Sequence, residues 1–132
     1  RIKAYSESLS FPEGTIHFVG EQTPEEVSKW LSNSDFLVMF SNYETAGVIF
    51  SEAMASGKPI VSTKVGVLAD QQNCDVGKLL DIGDEQGLKN AIGWMLDHYT
   101  DYDPDEMRKL GMEYSFDNVG KRLAEIYKSA TS

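Results

Sequence analysis

A chain of 132 residues that is 41% hydrophobic and 25% charged has the composition of one soluble domain with a core of its own. Its net charge of -9 leaves no basic face for duplex nucleic acid. No apolar run approaches the ~20 residues of a membrane-spanning helix. Cys74 is the single cysteine, which excludes an internal disulfide and fits a reducing compartment. An acidic domain can still bind an anionic nucleotide through a local site such as a helix N-terminus.

The chain opens at Arg1 without a methionine, so it reads as part of a longer protein. Residues 1–9 read as the end of a helix and residues 11–14, FPEG, as a turn. Residues 16–20, IHFVG, are predicted as a strand. Thr23 as N-cap, Pro24 in the first helical position and Glu26 three residues on form a capping box, followed by the apolar stripe Val27, Trp30, Leu31. Residues 35–40, DFLVMF, have the length and unbroken apolarity of a strand buried on both faces. After a loop and a helix, Gly57 and Pro59 stop the chain before a second buried strand, PIVST, at residues 59–63. A loop and short helix through Gly66 and Asp70 lead to a fourth strand at residues 78–82. Asp84 caps a helix through Trp94 and Met95. Asp103, Pro104 and Glu106 repeat the capping signature, and Ser115 caps a final helix. Strand alternating with helix predicts an α/β fold with a parallel sheet of about four strands. Right-handed crossovers place every strand's C-terminal end on one edge, where such sheets bind ligands. Glu44, Gly47, Lys64 and Gly66 fall on that edge and Lys58 on the opposite one.

The stretch from Asn42 to Pro59, NYETAGVIFSEAMASGKP, carries two acids in an apolar setting. A helix starting at Thr45 or Ala46 puts Gly47 in its first turn, where free N–H groups and small side chains let a phosphate approach. Glu44 precedes that helix at the ligand edge. Glu52 lies about two turns in, among Val48, Ile49, Phe50, Ala53, Met54 and Ala55, so the helix reads as buried. A buried carboxylate needs hydrogen-bonded partners, which the paired hydroxyls of a ribose supply. Taken singly, Glu44 also reads as a loop acid favoured by the helix dipole, and Glu52 as a solvated acid or a partner of Lys58.

Together these residues closely resemble the E-x7-E signature of the group 1 glycosyltransferases, a retaining family with the GT-B fold. The signature stands here as Ser41, Glu44, Ala46, Gly47, Glu52, Ala53, Met54, Ala55, Gly57 and Pro59, followed by IVST. The likeness runs over about residues 10–128. It implies a Rossmann-like C-terminal half of a GT-B fold, cut at its N-terminal end, with residues 1–132 as the donor domain. It further implies that Glu44 contacts the donor sugar near the reacting carbon and that Glu52 holds the nucleotide ribose. The N–H groups of Ala46, Gly47 and Val48 would face the diphosphate, with Gly66 in the neighbouring loop. Lys64 is the one cation placed at this edge, because nothing in residues 1–20 matches the arginine and lysine that clamp the diphosphate in the family. Val67, Ala69 and Asp70 depart from its V-G-G-x-P-E loop.

The expected partners are a nucleotide sugar and, through an upstream domain, a glycan or lipid-linked acceptor. The expected setting is cytoplasmic, with peripheral membrane association of the whole protein and a place in polysaccharide building. No cofactor or metal is expected, and the isolated chain should transfer nothing.

Other signals carry less. Asp101 and Asp103 spell D-x-D, but Asp103 serves as an N-cap. His17 and His98 have no ligand partners at metal spacing. Neither G-x-G-x-x-G nor a Walker loop occurs, and Cys74 has no activating neighbour. A glycosidase pair fits poorly, since eight residues of helix span ~12 Å whereas glycosidase carboxylates stand ~5–9.5 Å apart. A flavodoxin-like phosphoacceptor domain needs an aspartate where strand FLVMF ends in Ser41 and Asn42. A domain that binds nucleotide without chemistry stays open.

Overall fold

The computed structural model describes residues 1–71 and 76–131; Cys74 lies outside them. Helix α1 (Ile2–Ser8) is followed by the turn, where Thr15 N–H donates to Pro12 O at 3.2 Å. Helix α2 (Pro24–Ser32) begins with the expected capping box. Thr23 Oγ1 accepts from Glu26 N, and a Glu26 carboxylate oxygen accepts from Thr23 N at 2.7 Å. Of its stripe, Leu31 is buried whereas Trp30 is 49% exposed, its indole N–H bonded to Gln22 Oε1.

Strands β1 (Leu37–Met39), β2 (Ile60–Thr63) and β3 (Gly77–Leu80) form a parallel sheet in the order β1-β2-β3. Leu37 aligns with Ile60, and Ile60 in turn with Gly77. Central β2 is buried along its whole length. Ile60 packs into a core of Phe50, Met54, Leu68, Val76 and Met107, built with α3 (Val48–Ala55) and α5 (Pro104–Met112). Val61 packs into a second core of Ala91 and Met95 on α4 (Glu85–His98). Helices therefore cover both faces, the arrangement that lets a parallel strand be apolar throughout. Helix α5 can lie against α3 because Gly111 has no side chain, and a Cβ there would collide with the backbone of Ala55.

The caps of α4 and α5 form as expected. Asp84 accepts from Gly87 N and Asp103 from Asp105 N, each at 2.8 Å. Glu106 does not close a second box; its carboxylate pairs with Lys109 instead. Helix α6 (Phe116–Thr131) starts at Ser115, whose hydroxyl accepts from Asn118 N.

Three expectations are corrected. Residues 16–20 form no strand among the described residues, so the sheet has three strands rather than four. Ile16, Phe18 and Val19 are 44–49% exposed, and their backbone finds no ladder partner, without which an apolar pattern does not make a strand. Next, β1 is not buried on both faces. Among the described residues it has one neighbour, and Val38 and Phe40 are 40% and 36% exposed. Finally, β3 is displaced towards the N-terminus, which leaves Asp81 beyond its end.

Candidate functional site

The C-terminal ends of β1 and β2 hold two loops against each other. Thr63, 1% exposed at the end of β2, donates its hydroxyl hydrogen to Ser41 O at 2.6 Å and accepts from Ser41 N at 3.2 Å. Ser41 Oγ in turn donates to Glu44 Oε1 at 3.1 Å. Glu44 is half-buried, and among the described residues its other oxygen has no partner.

Helix α3 starts later than the sequence implies. Gly47 is the N-cap, not a first-turn residue, and sits in the left-handed region with φ 66° and ψ 55°. A side chain at Gly47 would also strike the Phe50 ring, so only glycine suits the position sterically. Gly47 O accepts from Phe50 N at 2.9 Å. The first-turn N–H groups of Val48 and Ile49 have no intrahelical acceptor, as at any helix start. Val48 is 64% exposed, so this end of α3 is open to a ligand.

The loop after β2 closes onto the same place. Val67 N donates to Ala46 O at 3.2 Å. Gly66, with φ 55°, lies so close that a Cβ would stand 3.0 Å from Ala46 O and 3.3 Å from Glu44 Cβ. Glu44, Ala46, Gly47, Val48 and Gly66 are thus brought together at the predicted edge. Lys64 shares the edge, but its ammonium lies 3.4 Å from Asp81 Oδ1, with both side chains largely exposed.

Glu52 is half-buried rather than enclosed, because α3 is covered mainly through Phe50, Ala53 and Met54. Lys58, on the opposite edge, does not pair with it; among the described residues the Glu52 carboxylate has no hydrogen-bond or ionic partner. It lines a groove of about 640 Å³ with Ala46, Val48, Val67, Tyr114 and Phe116. It therefore borders the same space as the start of α3, from one side. No group of three His, Cys, Asp or Glu that could hold a metal occurs among the described residues.

Sequence reasoning missed three participants. Thr63 reads as one more residue of a buried strand, although a polar side chain at a strand's C-terminal end is a signal. Asp81 was hidden inside the predicted strand. The position of Tyr114 beside the groove depends on how α5 ends, which no local pattern encodes.

Comparison with known proteins decides the family. Residues 2–98 match the model of the family described as "Glycosyl transferases group 1". The chain belongs to the group 1 glycosyl transferases. It is 31% identical to a D-inositol 3-phosphate glycosyltransferase of Corynebacterium urealyticum, over 86% of this chain and 28% of that protein. It is 28% identical to an uncharacterized glycosyltransferase of Methanocaldococcus jannaschii, over 98% of this chain and 35% of that one. Identity is also 28% with an alpha-monoglucosyldiacylglycerol synthase of Streptococcus pneumoniae, over 98% of this chain and 29% of that one. The chain thus spans about a third of the length of these relatives. No helix among the described residues is long and apolar enough to cross a membrane.

Proposed function

We propose that this chain is the donor-binding domain of a glycosyltransferase that moves a sugar from a nucleoside diphosphate to a glycan, lipid-linked or polysaccharide acceptor, with retention of anomeric configuration. The observation that carries this reading is the convergence of Glu44, Gly66 and the open start of α3 at one sheet edge. In the proposed reaction the bond from the anomeric carbon to the diphosphate breaks and the leaving group gains negative charge. The first-turn N–H groups of α3, with the backbone at Ala46 and Gly47, are preorganised donors for that charge. Lys64 adds a cation. Glu44 presents its unengaged oxygen to the sugar, and Glu52 takes the ribose hydroxyls. The chemistry takes no cofactor beyond the donor itself and no metal.

The acceptor site and the remaining diphosphate contacts belong to other parts of the protein, since the relatives are about three times as long. One of those relatives is named as an alpha-monoglucosyldiacylglycerol synthase, which supports the lipid-linked choice among these acceptors. A cytoplasmic enzyme acting at a membrane surface is the matching setting.

The test is Glu44→Gln in the full-length protein, with release of nucleoside diphosphate measured from a panel of UDP- and GDP-linked hexoses. Turnover should fall at least ~100-fold, equivalent to ~2.7 kcal/mol of transition-state stabilisation, with donor binding weakened less. Wild-type turnover in this variant, or no turnover by the wild-type protein on any donor, would overturn the reading.

A further inference from the structure

We infer that Thr63 is a positioning residue for Glu44, acting through Ser41. The inference rests on the role proposed for Glu44. Thr63 is almost wholly buried, and a buried hydroxyl is costly unless its hydrogen bonds are made. Here one hydroxyl serves both backbone groups of Ser41, donating to the carbonyl at 2.6 Å and accepting from the N–H at 3.2 Å. These bonds fix residue 41 to the central strand rather than to its own loop. The Ser41 hydroxyl then reaches Glu44 Oε1 at 3.1 Å.

The relay has a chemical consequence. With Oε1 occupied by a donor, Glu44 offers its second oxygen as the acceptor for a substrate hydroxyl. With Ser41 anchored, that oxygen is held in a loop whose other residues, Asn42, Tyr43 and Thr45, are exposed and give it no packing. Reaction rates are sensitive to displacements of about 1 Å at a reacting group, so an anchor on a buried strand matters more to turnover than to binding. A valine in place of Thr63 would keep the shape and the β propensity, so packing alone does not require the hydroxyl. Ser62, the adjacent buried hydroxyl, donates to Thr63 O at 2.9 Å and takes no part in the relay.

Steady-state kinetics of the full-length protein, on the same UDP- and GDP-linked hexoses, separate this role from a structural one. Thr63→Val should lower kcat about tenfold, with the donor KM within about twofold of wild type. Thr63→Ser, which keeps the hydroxyl, should recover most of that loss. In a Glu44→Gln background, Thr63→Val should add little, since there is no carboxylate left to position. Ser41→Ala cuts only the last link and preserves the Thr63 contacts to the backbone. It should also lower kcat several-fold, and it decides the matter if Thr63→Val does not fold. Unchanged kcat in Ser41→Ala, or equal and additive losses with and without Glu44, would overturn the relay while leaving the role of Glu44 intact. Full activity in Glu44→Gln would overturn both.

Discussion

The Val67 N–H donates to the Ala46 carbonyl oxygen across 3.2 Å, which fastens the loop after β2 to the loop after β1 just ahead of α3. The bond places Gly66 beneath Glu44 and leaves no room for a side chain. Replacing Gly66 by alanine imposes both a left-handed φ on an L-residue and a tight contact with Ala46. The expected cost is about 1–2 kcal/mol of stability, with turnover reduced as Glu44 and the start of α3 move apart. Gly93 in α4 has open space around its Cα, so Gly93→Ala should stabilise by about 0.5–1 kcal/mol. Urea unfolding of both variants measures the contrast; equal midpoints would mean that the two loops do not depend on this contact.

Glu52→Gln should weaken nucleoside diphosphate binding by about 1–3 kcal/mol, the scale of a lost hydrogen bond to a charged group. The carboxylate is half-buried and has no partner to relinquish among the described residues, so the loss would come from the ligand. Calorimetry with a 2′-deoxy analogue checks the assignment. The analogue should bind poorly to the wild-type protein and lose little further in the variant, whereas equal losses for both ligands would remove Glu52 from the ribose.

If Lys64 serves the diphosphate as proposed, Asp81, 3.4 Å from its ammonium, would compete for it. The pair is exposed, so Asp81→Asn should change stability by less than about 1 kcal/mol. Freed of its carboxylate, Lys64 should bind a nucleoside diphosphate a few-fold more tightly at low ionic strength, and the gain should vanish near ~1 M salt, where the screening length is about 3 Å. Lys64→Ala should move the affinity the other way. Unchanged low-salt affinity in both variants would place Lys64 outside the site.

The capping box of α2 has a pH signature. Bonds from the Thr23 backbone and side chain hold the Glu26 carboxyl below its ordinary value of 4.5. A carboxylate whose folded pKa is depressed adds stability above its unfolded pKa and loses it as pH falls through the folded value. Glutamine can fill the same box without titrating. The wild-type advantage over Glu26→Gln in urea midpoint should therefore hold at neutral pH and shrink below pH 4.5. A constant difference down to about pH 3 would show that the charge contributes nothing.

Local chemistry made much of this legible. Thr23, Asp84 and Ser115 announce their helices because a short polar side chain before an apolar stripe has one efficient use, the cap. PIVST, residues 59–63, reads as a central strand because it places an apolar residue on each face between a helix stop and a loop, and β2 is buried throughout. The pattern in residues 16–20 is just as strand-like, yet a strand exists only when its backbone groups are paired, and pairing is not a local property. The start of α3 was misjudged for a related reason. Ala46 and Gly47 are compatible with a first turn, but the bond from Val67 to Ala46 holds the backbone there, and it comes from elsewhere in the fold. At the site, the motif named Glu44 and Glu52. It could not show that Thr63 anchors Ser41, since the two meet only when β1 and β2 pair.

The strand order carries a kinetic consequence. Among the described residues β1 and β3 do not pair with each other; each pairs with β2. Neither edge strand can find a partner until β2 has formed and a crossover has closed, and such non-local pairings are the slow events of folding. This order is consistent with a folding nucleus that includes β2, in which case substitutions in the segment that ends in Thr63 should slow folding. Helix α6, which has no buried residue, would attach afterwards and influence mainly how fast the structure frays.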